Sequence, residues 1–221
     1  EIETLKENGM DDESVTAYFR GNVDDFKNEI KLMSKLKGES NIVSHEDHEV
    51  IQHETGIGWD ILIQMELLTP LMKYIDNKKS FGRDDVIRLG IDICSALELC
   101  RKFNIIHRDI KPENIFVSAS GNFKLGDFGI ARTVEKTTGG LSKKGTYTYM
   151  APEVYKGEKY GPTIDIYSLG IVLYRYLNNN RAPFLPQPPA AITYGDNSAA
   201  LSRRLEGETI PAPVNADTEL A

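Results

Sequence analysis

The feature that most constrains this chain is the polar cluster His107-Arg108-Asp109-Ile110-Lys111-Pro112-Glu113-Asn114, set between the apolar runs Ile105-Ile106 and Ile115-Phe116-Val117. The apolar, β-branched flanks predict strand, loop, strand, and the loop carries too much charge to be buried without partners. Its side chains have complementary chemistry. Asp109 can accept a proton, and Lys111 can neutralise a developing negative charge. Asn114, five residues after Asp109, offers a carbonyl oxygen of the hard kind that suits Mg²⁺. A base, a cation and a metal ligand on one short loop fit phosphoryl transfer, where positioning and charge stabilisation do most of the catalysis.

A second cluster follows at short range. Ser118-Ala-Ser-Gly-Asn122 reads as a hairpin turn and Phe123-Lys-Leu125 as a short strand. Gly126-Asp-Phe-Gly-Ile130 comes next. Asp127-Phe128-Gly129 alone would be a weak motif, but eighteen residues after Asp109 and just past a hairpin it is specific. Ala131 to Lys144 is rich in Thr, Gly and Lys and reads as a loop. Gly145-Thr-Tyr-Thr-Tyr-Met-Ala-Pro-Glu153 ends it, so that Asp127 to Glu153 spans 27 residues inclusive.

On both sides of these clusters the periodicity is readable. Glu1 to Thr16 is charged without a steady period, a loop or weak helix. Phe26, Ile30, Met33 and Leu36 recur at helical spacing and Gly38 stops them, which predicts a helix from about Val15 to Lys37. Val50-Ile-Gln52 and Trp59 to Glu66 read as two strands joined through Gly56 and Gly58. Asp84 to Lys102 is a helix with Val86, Leu89, Ile93, Leu97 and Cys100 on one stripe. Thr163 to Leu177 is apolar nearly all round, the mark of a buried helix. Asp165 within it therefore needs hydrogen-bond donors. Pro183 to Pro189 is a loop, and Asn197 to Glu206 a short surface helix.

In order and spacing, the stretch from His107 to Asn114, the Asp127-Phe128-Gly129 tripeptide and the segment closing on Ala151-Pro152-Glu153 resemble a protein kinase domain. The resemblance covers about residues 15 to 210. Lys111, in Asp-Ile-Lys-Pro-Glu-Asn, resembles the serine/threonine branch, and the general texture resembles the bacterial type. The resemblance implies an α+β, bilobal kinase-like fold. Residues 1–66 would form a partial small lobe and residues 67–221 an incomplete large lobe. It implies ATP and Mg²⁺, with Asp109 as base, Lys111 as the charge-stabilising cation, and Asn114 and Asp127 as metal ligands. It makes Glu29 the acid that pairs with an ATP-anchoring lysine and Met65 the gatekeeper. Glu66 and Leu68 would lie where the connecting backbone bonds adenine. His107, Phe128, Gly129, Thr146, Glu153 and Asp165 take structural roles, Asp165 gripping the backbone of the catalytic loop. Arg108 is placed to clamp a phosphate on the activation loop, with Ser142 the first choice of site and Thr137 and Thr138 the second.

Two parts of the family pattern are absent from the sequence. No Gly-x-Gly-x-x-Gly loop and no strand of Val-Ala-Ile-Lys type precede Glu29, and Ile2-Glu-Thr-Leu-Lys6 is too acidic for a core strand. The expectation is a kinase domain truncated at both ends and inactive as given. The alternative is a pseudokinase or scaffold module that kept the fold, against which stands the presence of Asp109, Asn114 and Asp127 together.

Composition narrows the setting. A net charge of −7 argues against a dominant nucleic-acid surface, and no apolar run approaches the ~20 residues of a spanning helix. Cys94 and Cys100 fall on one helix, six residues and ~9 Å apart, too far to bridge. They read as core thiols of a reducing, cytoplasmic compartment. Expected partners are ATP and protein substrates, with regulatory domains fused outside the chain.

Overall fold

The computed structural model describes residues 1–128 and 146–216, apart from the side chains of Asp25, Asn28, Glu29, Lys31, Leu32 and Thr146. These residues fall into two compact units: Glu1–Leu67 with Phe128, and Leu68–Asp127 with the described part of Ser142–Ala221.

The first unit opens with two helices, α1 (Ile2–Glu7) and α2 (Asp12–Ser34). The long helix thus begins earlier than its apolar period announces. Its start is set by polar groups. The Ser14 amide donates to Asp11 Oδ1 at 2.8 Å, and Asp12 and Glu13 occupy the first turn, where negative charge meets the helix dipole. Lys6, on α1, pairs with Asp12 at 2.6 Å. Val15, Val23, Phe26, Ile30, Met33 and Leu36 form the buried stripe, and Ile42 and Val43 are buried after it. Strand β1 (His45–Gln52) pairs antiparallel with β2 (Trp59–Met65), with a bulge between His45 and Asp47.

In the second unit β3 (Thr69–Pro70), β4 (Ile115–Val117) and β5 (Phe123–Leu125) make a three-stranded antiparallel sheet in that order. Around it lie α3 (Leu71–Asp76), α4 (Arg83–Lys102), α5 (Pro152–Tyr155), α6 (Thr163–Leu177) and α7 (Tyr194–Leu205). Helix α4 buries Val86, Leu89, Ile93, Ala96, Leu97 and Cys100, while α6 buries Ile164, Leu169, Ile171 and Val172. The two helices meet closely at Gly90, where a Cβ would come within 3.2 Å of Leu173 Cδ1. The outer side of α4 holds the β4–β5 turn. Arg88 Nη2 donates to Gly121 O at 3.1 Å, and the Phe123 amide to Asp92 Oδ2 at 2.9 Å.

Three local expectations are corrected. Ile105 and Ile106 form no strand. Helix α4 ends at Lys102, Asn104 takes a left-handed φ of 56°, and the Ile105 amide bonds back to Cys100 O, so this run closes a helix and has no ladder partner. Cys94 is exposed rather than core, because it lies off the α4 stripe that buries Cys100. On α6, Ile166 is 54% exposed, so that helix keeps one face outside the core. Among the described residues no helix is long and apolar enough to cross a membrane.

Candidate active site

The residues His107 to Asn114 connect α4 to β4, and their backbone is fixed from below by α6. Asp165, in the first turn of α6, is 3% exposed. Its Oδ2 accepts from the His107 amide and its Oδ1 from the Arg108 amide, each at 2.8 Å. One carboxylate thereby satisfies two consecutive loop amides, which allows a charged group at that depth. Burial raises the Asp165 pKa above the ordinary carboxylate value, opposed by the two amides and by the Arg108 charge. Arg108 itself has φ 69°, a left-handed conformation that costs a residue with a Cβ roughly 1–2 kcal/mol.

His107 is 1% exposed and links the loop to the strand after the hairpin. Its Nδ1 accepts from the Asp109 amide at 3.3 Å and its Nε2 lies 3.0 Å from Gly126 O. A carbonyl only accepts and an amide only donates, so the ring is the neutral tautomer with its proton on Nε2. The Gly126 amide returns a bond to Asn114 O at 2.9 Å. The residue before Asp127 is thus tied to both ends of the loop. Asp127 follows with φ 56°, a conformation Asp tolerates better than most residues, and is exposed.

Three side chains converge on the anchored loop. Lys111 Nζ donates to Asp109 Oδ2 at 2.8 Å, with side-chain exposures of 26% for Lys111 and 17% for Asp109. Asn114 Nδ2 donates to Asp109 O at 2.8 Å and to Asp109 Oδ2 at 3.1 Å. Asn114 lies in a 3-10 turn opened by Pro112, and both are buried. With Nδ2 turned inward, the amide presents Oδ1 as its remaining ligand atom, a hard oxygen that fits Mg²⁺, as does the carboxylate of Asp127.

The other candidates are distributed as follows. Met65 ends β2 and is 51% exposed; it is not strand core, because β1 and β2 form only a two-stranded sheet among the described residues. Glu66 exchanges bonds with Ser44: its amide donates to Ser44 O at 3.1 Å, and its Oε1 accepts from the Ser44 amide at 2.5 Å. Leu68 opens the second unit and is half-buried. Glu29 lies on α2, with its side chain outside the described set, and Phe128 is half-buried. Gly129, Thr137, Thr138 and Ser142 lie outside the described residues. Thr146 begins a 3-10 turn, Thr146–Thr148. Glu153 sits in the first turn of α5, and its carboxylate has no ion-pair partner among the described residues. Arg108 is exposed, with its guanidinium 5.8 Å from the Tyr160 ring. The sequence reading missed Gly126 and Tyr160. Gly126 acts through its main chain and Tyr160 through stacking, and neither leaves a mark in residue type.

Comparison of the sequence with known proteins finds a family match. The family described as "Protein kinase domain" matches residues 9–209. The chain is 30% identical over 197 residues to "Probable serine/threonine-protein kinase PknB" of Lactococcus lactis subsp. lactis (strain IL1403), covering 88% of this chain and 29% of that protein. It is 34% identical over 158 residues to "Carbon catabolite-derepressing protein kinase" of Secale cereale, covering 70% of this chain and 30% of that one. It is 39% identical over 112 residues to "Serine/threonine-protein kinase PknB" of Mycolicibacterium smegmatis (strain ATCC 700084 / mc(2)155), covering 49% of this chain and 18% of that one. The chain spans less than a third of the length of each of these relatives. With its loop anchored on α6 and a family match running through both units, the chain belongs to the protein kinase domain family.

Proposed function

We propose that the protein containing this chain is an ATP-dependent serine/threonine protein kinase and that residues 107–127 carry its chemistry. The observation that carries the reading is the junction of Asp109, Lys111 and Asn114 within hydrogen-bond reach of one carboxylate oxygen, on a backbone fixed by Asp165. In the proposed reaction a substrate serine or threonine oxygen forms a bond to the γ-phosphorus as the bond to the bridging oxygen breaks, and ADP leaves. The hydroxyl proton passes to Asp109, and Lys111 offsets negative charge on the transferring group. Mg²⁺, when bound, neutralises charge on the phosphate oxygens, and Asn114 and Asp127 are the residues that would hold it.

Residues 1–66 are read as part of the small lobe and 67–221 as part of the large one. Glu29, Met65, Glu66 and Leu68 are assigned to the nucleotide side, and a cytoplasmic setting goes with ATP as substrate. Arg108 is assigned to a phosphate carried by Ser142, Thr137 or Thr138; phosphopeptide mapping of the active protein tests it, and an unmodified 133–148 segment refutes it. Lys6 is no substitute for the missing lysine on this reading, since it lies on a helix and pairs with Asp12. The test is phosphate transfer from labelled ATP to a generic protein substrate. It compares this chain with a form extended upstream to include a glycine-rich loop and lysine. Turnover by the extended form, lost on Asp109→Ala, supports the reading. Nucleotide binding without turnover in the extended form favours the scaffold instead.

A further inference from the structure

Arg204, in the last turn of α7, is 7% exposed, yet no carboxylate pairs with it among the described residues. Its guanidinium faces main chain. Nη1 donates to Thr148 O at 2.6 Å and Nη2 to Tyr147 O at 3.3 Å, while Nε is buried without a partner. These two carbonyls close the 3-10 turn Thr146–Thr148, where helical geometry leaves acceptors unfilled. The planar fork of arginine fits two adjacent carbonyls, and an ammonium would reach one.

The next residue is held by a second cation. Tyr149 is 6% exposed, its hydroxyl accepts from Arg175 Nη1 on α6, and the Arg175 guanidinium lies 5.3 Å from the ring centroid. Tyr147 meets Tyr155 of α5 edge to face at 5.5 Å. Three consecutive residues, Tyr147 to Tyr149, are therefore gripped from three helices. The Arg204 contacts are to backbone oxygens and so fix the path of the chain whatever the side chains are.

We infer that Arg204 is a positioning residue that sets the backbone of residues 146–151 for substrate docking. This rests on the kinase reading, since the resemblance to a protein kinase implies that the segment from Gly145 to Glu153 docks the protein substrate. The bonds of Arg204 go to Thr148 and Tyr147 and not to the 107–114 loop, so its removal acts on protein-substrate affinity rather than on the chemical step. Arg204→Met leaves the Thr148 and Tyr147 carbonyls without these donors and lowers stability whatever the role of the segment, so a stability measurement alone does not test this role.

The test is hydrogen–deuterium exchange on the 221-residue chain with Arg204→Met, Arg204→Lys and, as a control, Arg203→Met. Arg203 is a neighbour whose guanidinium pairs with Glu208 and leaves residues 147–148 alone. Exchange across 146–151 is expected to rise about tenfold in Arg204→Met, the equivalent of one lost charge-assisted bond. It should rise less in Arg204→Lys and not at all in Arg203→Met. In an active extended form, KM for a peptide substrate should rise about tenfold, with KM for ATP and kcat within about twofold. Unchanged exchange in a folded Arg204→Met, or an equal rise in the Arg203 control, overturns the inference. If Arg204→Met does not fold, Arg204→Lys decides by the same peptides. Absence of turnover in every form refutes the kinase reading and leaves the exchange result standing.

Discussion

Asn114 uses one side-chain amide to hold two oxygens of Asp109, the main-chain carbonyl at 2.8 Å and the carboxylate at 3.1 Å. The metal-ligand candidate is therefore also the clamp on the proposed base, Asp109. Asp109→Ala should abolish phosphate transfer in the extended, active form while nucleotide binding persists, and near-normal turnover would remove Asp109 from the mechanism. Asn114→Ala should do two things at once. It weakens Mg²⁺-dependent ATP binding, measured by titration with and without metal, and it frees the Asp109 backbone. Asn114→Asp separates them: it keeps hard oxygens but loses both donor contacts. A loop equally ordered in the Asp variant, by amide exchange at 108–111, would count against the clamp.

The floor under that clamp is Asp165. Asp165→Ala leaves the His107 and Arg108 amides without an acceptor, at about 1–3 kcal/mol each. Asp165→Asn retains one acceptor oxygen but turns an NH₂ toward the second amide. We expect a fall in thermal midpoint for both, larger for Ala, with turnover lost in either. A midpoint unchanged in Asp165→Ala would show that the loop holds its shape without α6.

A pH dependence follows from the first unit. His45 is 6% exposed with its Nε2 unpartnered, and its ring centre is 5.4 Å from that of His48. Burial, then the charges of His48 and Lys37, hold its pKa below the usual 6.5, against Asp47 and Glu46. The unfolded chain therefore takes up a proton that the folded chain refuses. His45's contribution to stability is whole above pH 6.5 and declines as the pH falls below it, until His45 protonates in the folded state. Asp165 has the opposite sign, since its pKa is raised on folding and its titration favours the folded state as pH falls. Unfolding midpoints between pH 7.5 and 5 should drop in the parent and flatten in His45→Leu. A slope unchanged by that substitution would assign it to other groups.

How much of this was legible differs by element. The loop from His107 to Asn114, the strand over Phe123–Leu125 and the α6 bounds could be read because each carries a local pattern of charge, alternation or apolar run. Asp165 was legible because a lone carboxylate in an apolar helix demands donors. The strand over Ile105–Ile106 failed because two β-branched residues fix no partner, and the Cys100 carbonyl claimed the Ile105 amide first. The start of α2 failed because it is set by Asp11 and Asp12, which carry no apolar period. Arg204 was invisible because its partners are carbonyls, which every residue supplies.

The two thiols give a readout of the second unit. Cys94 is exposed and Cys100 buried; partial burial raises the Cys94 pKa, while burial and the nearby Asp165 push that of Cys100 up to about 12. Only the thiolate is nucleophilic, so a disulfide reagent at pH 8 should titrate one thiol in the native chain and the second only on unfolding. Two fast thiols would mean that α4 does not pack as described.

The last prediction concerns the β1–β2 hairpin. Ile61, Ile63 and Met65 alternate onto one face of β2 and are 38%, 37% and 51% exposed, while Leu62 on the other face is 54% exposed. Among the described residues this is a two-stranded sheet, so each strand also has an outer edge of unpaired amides and carbonyls. An isolated two-stranded hairpin is marginal in water, and apolar edges of this kind recruit other strands. The chain should therefore self-associate in the micromolar range, as measured by light scattering against concentration. Charge on the strand should oppose it. Ile63→Lys is expected to move the onset to higher concentration with little loss of thermal stability, because the side chain it replaces is already half in water. Scattering that stays monomeric to about 100 μM, or an onset that Ile63→Lys leaves in place, would mean that this face does not drive association.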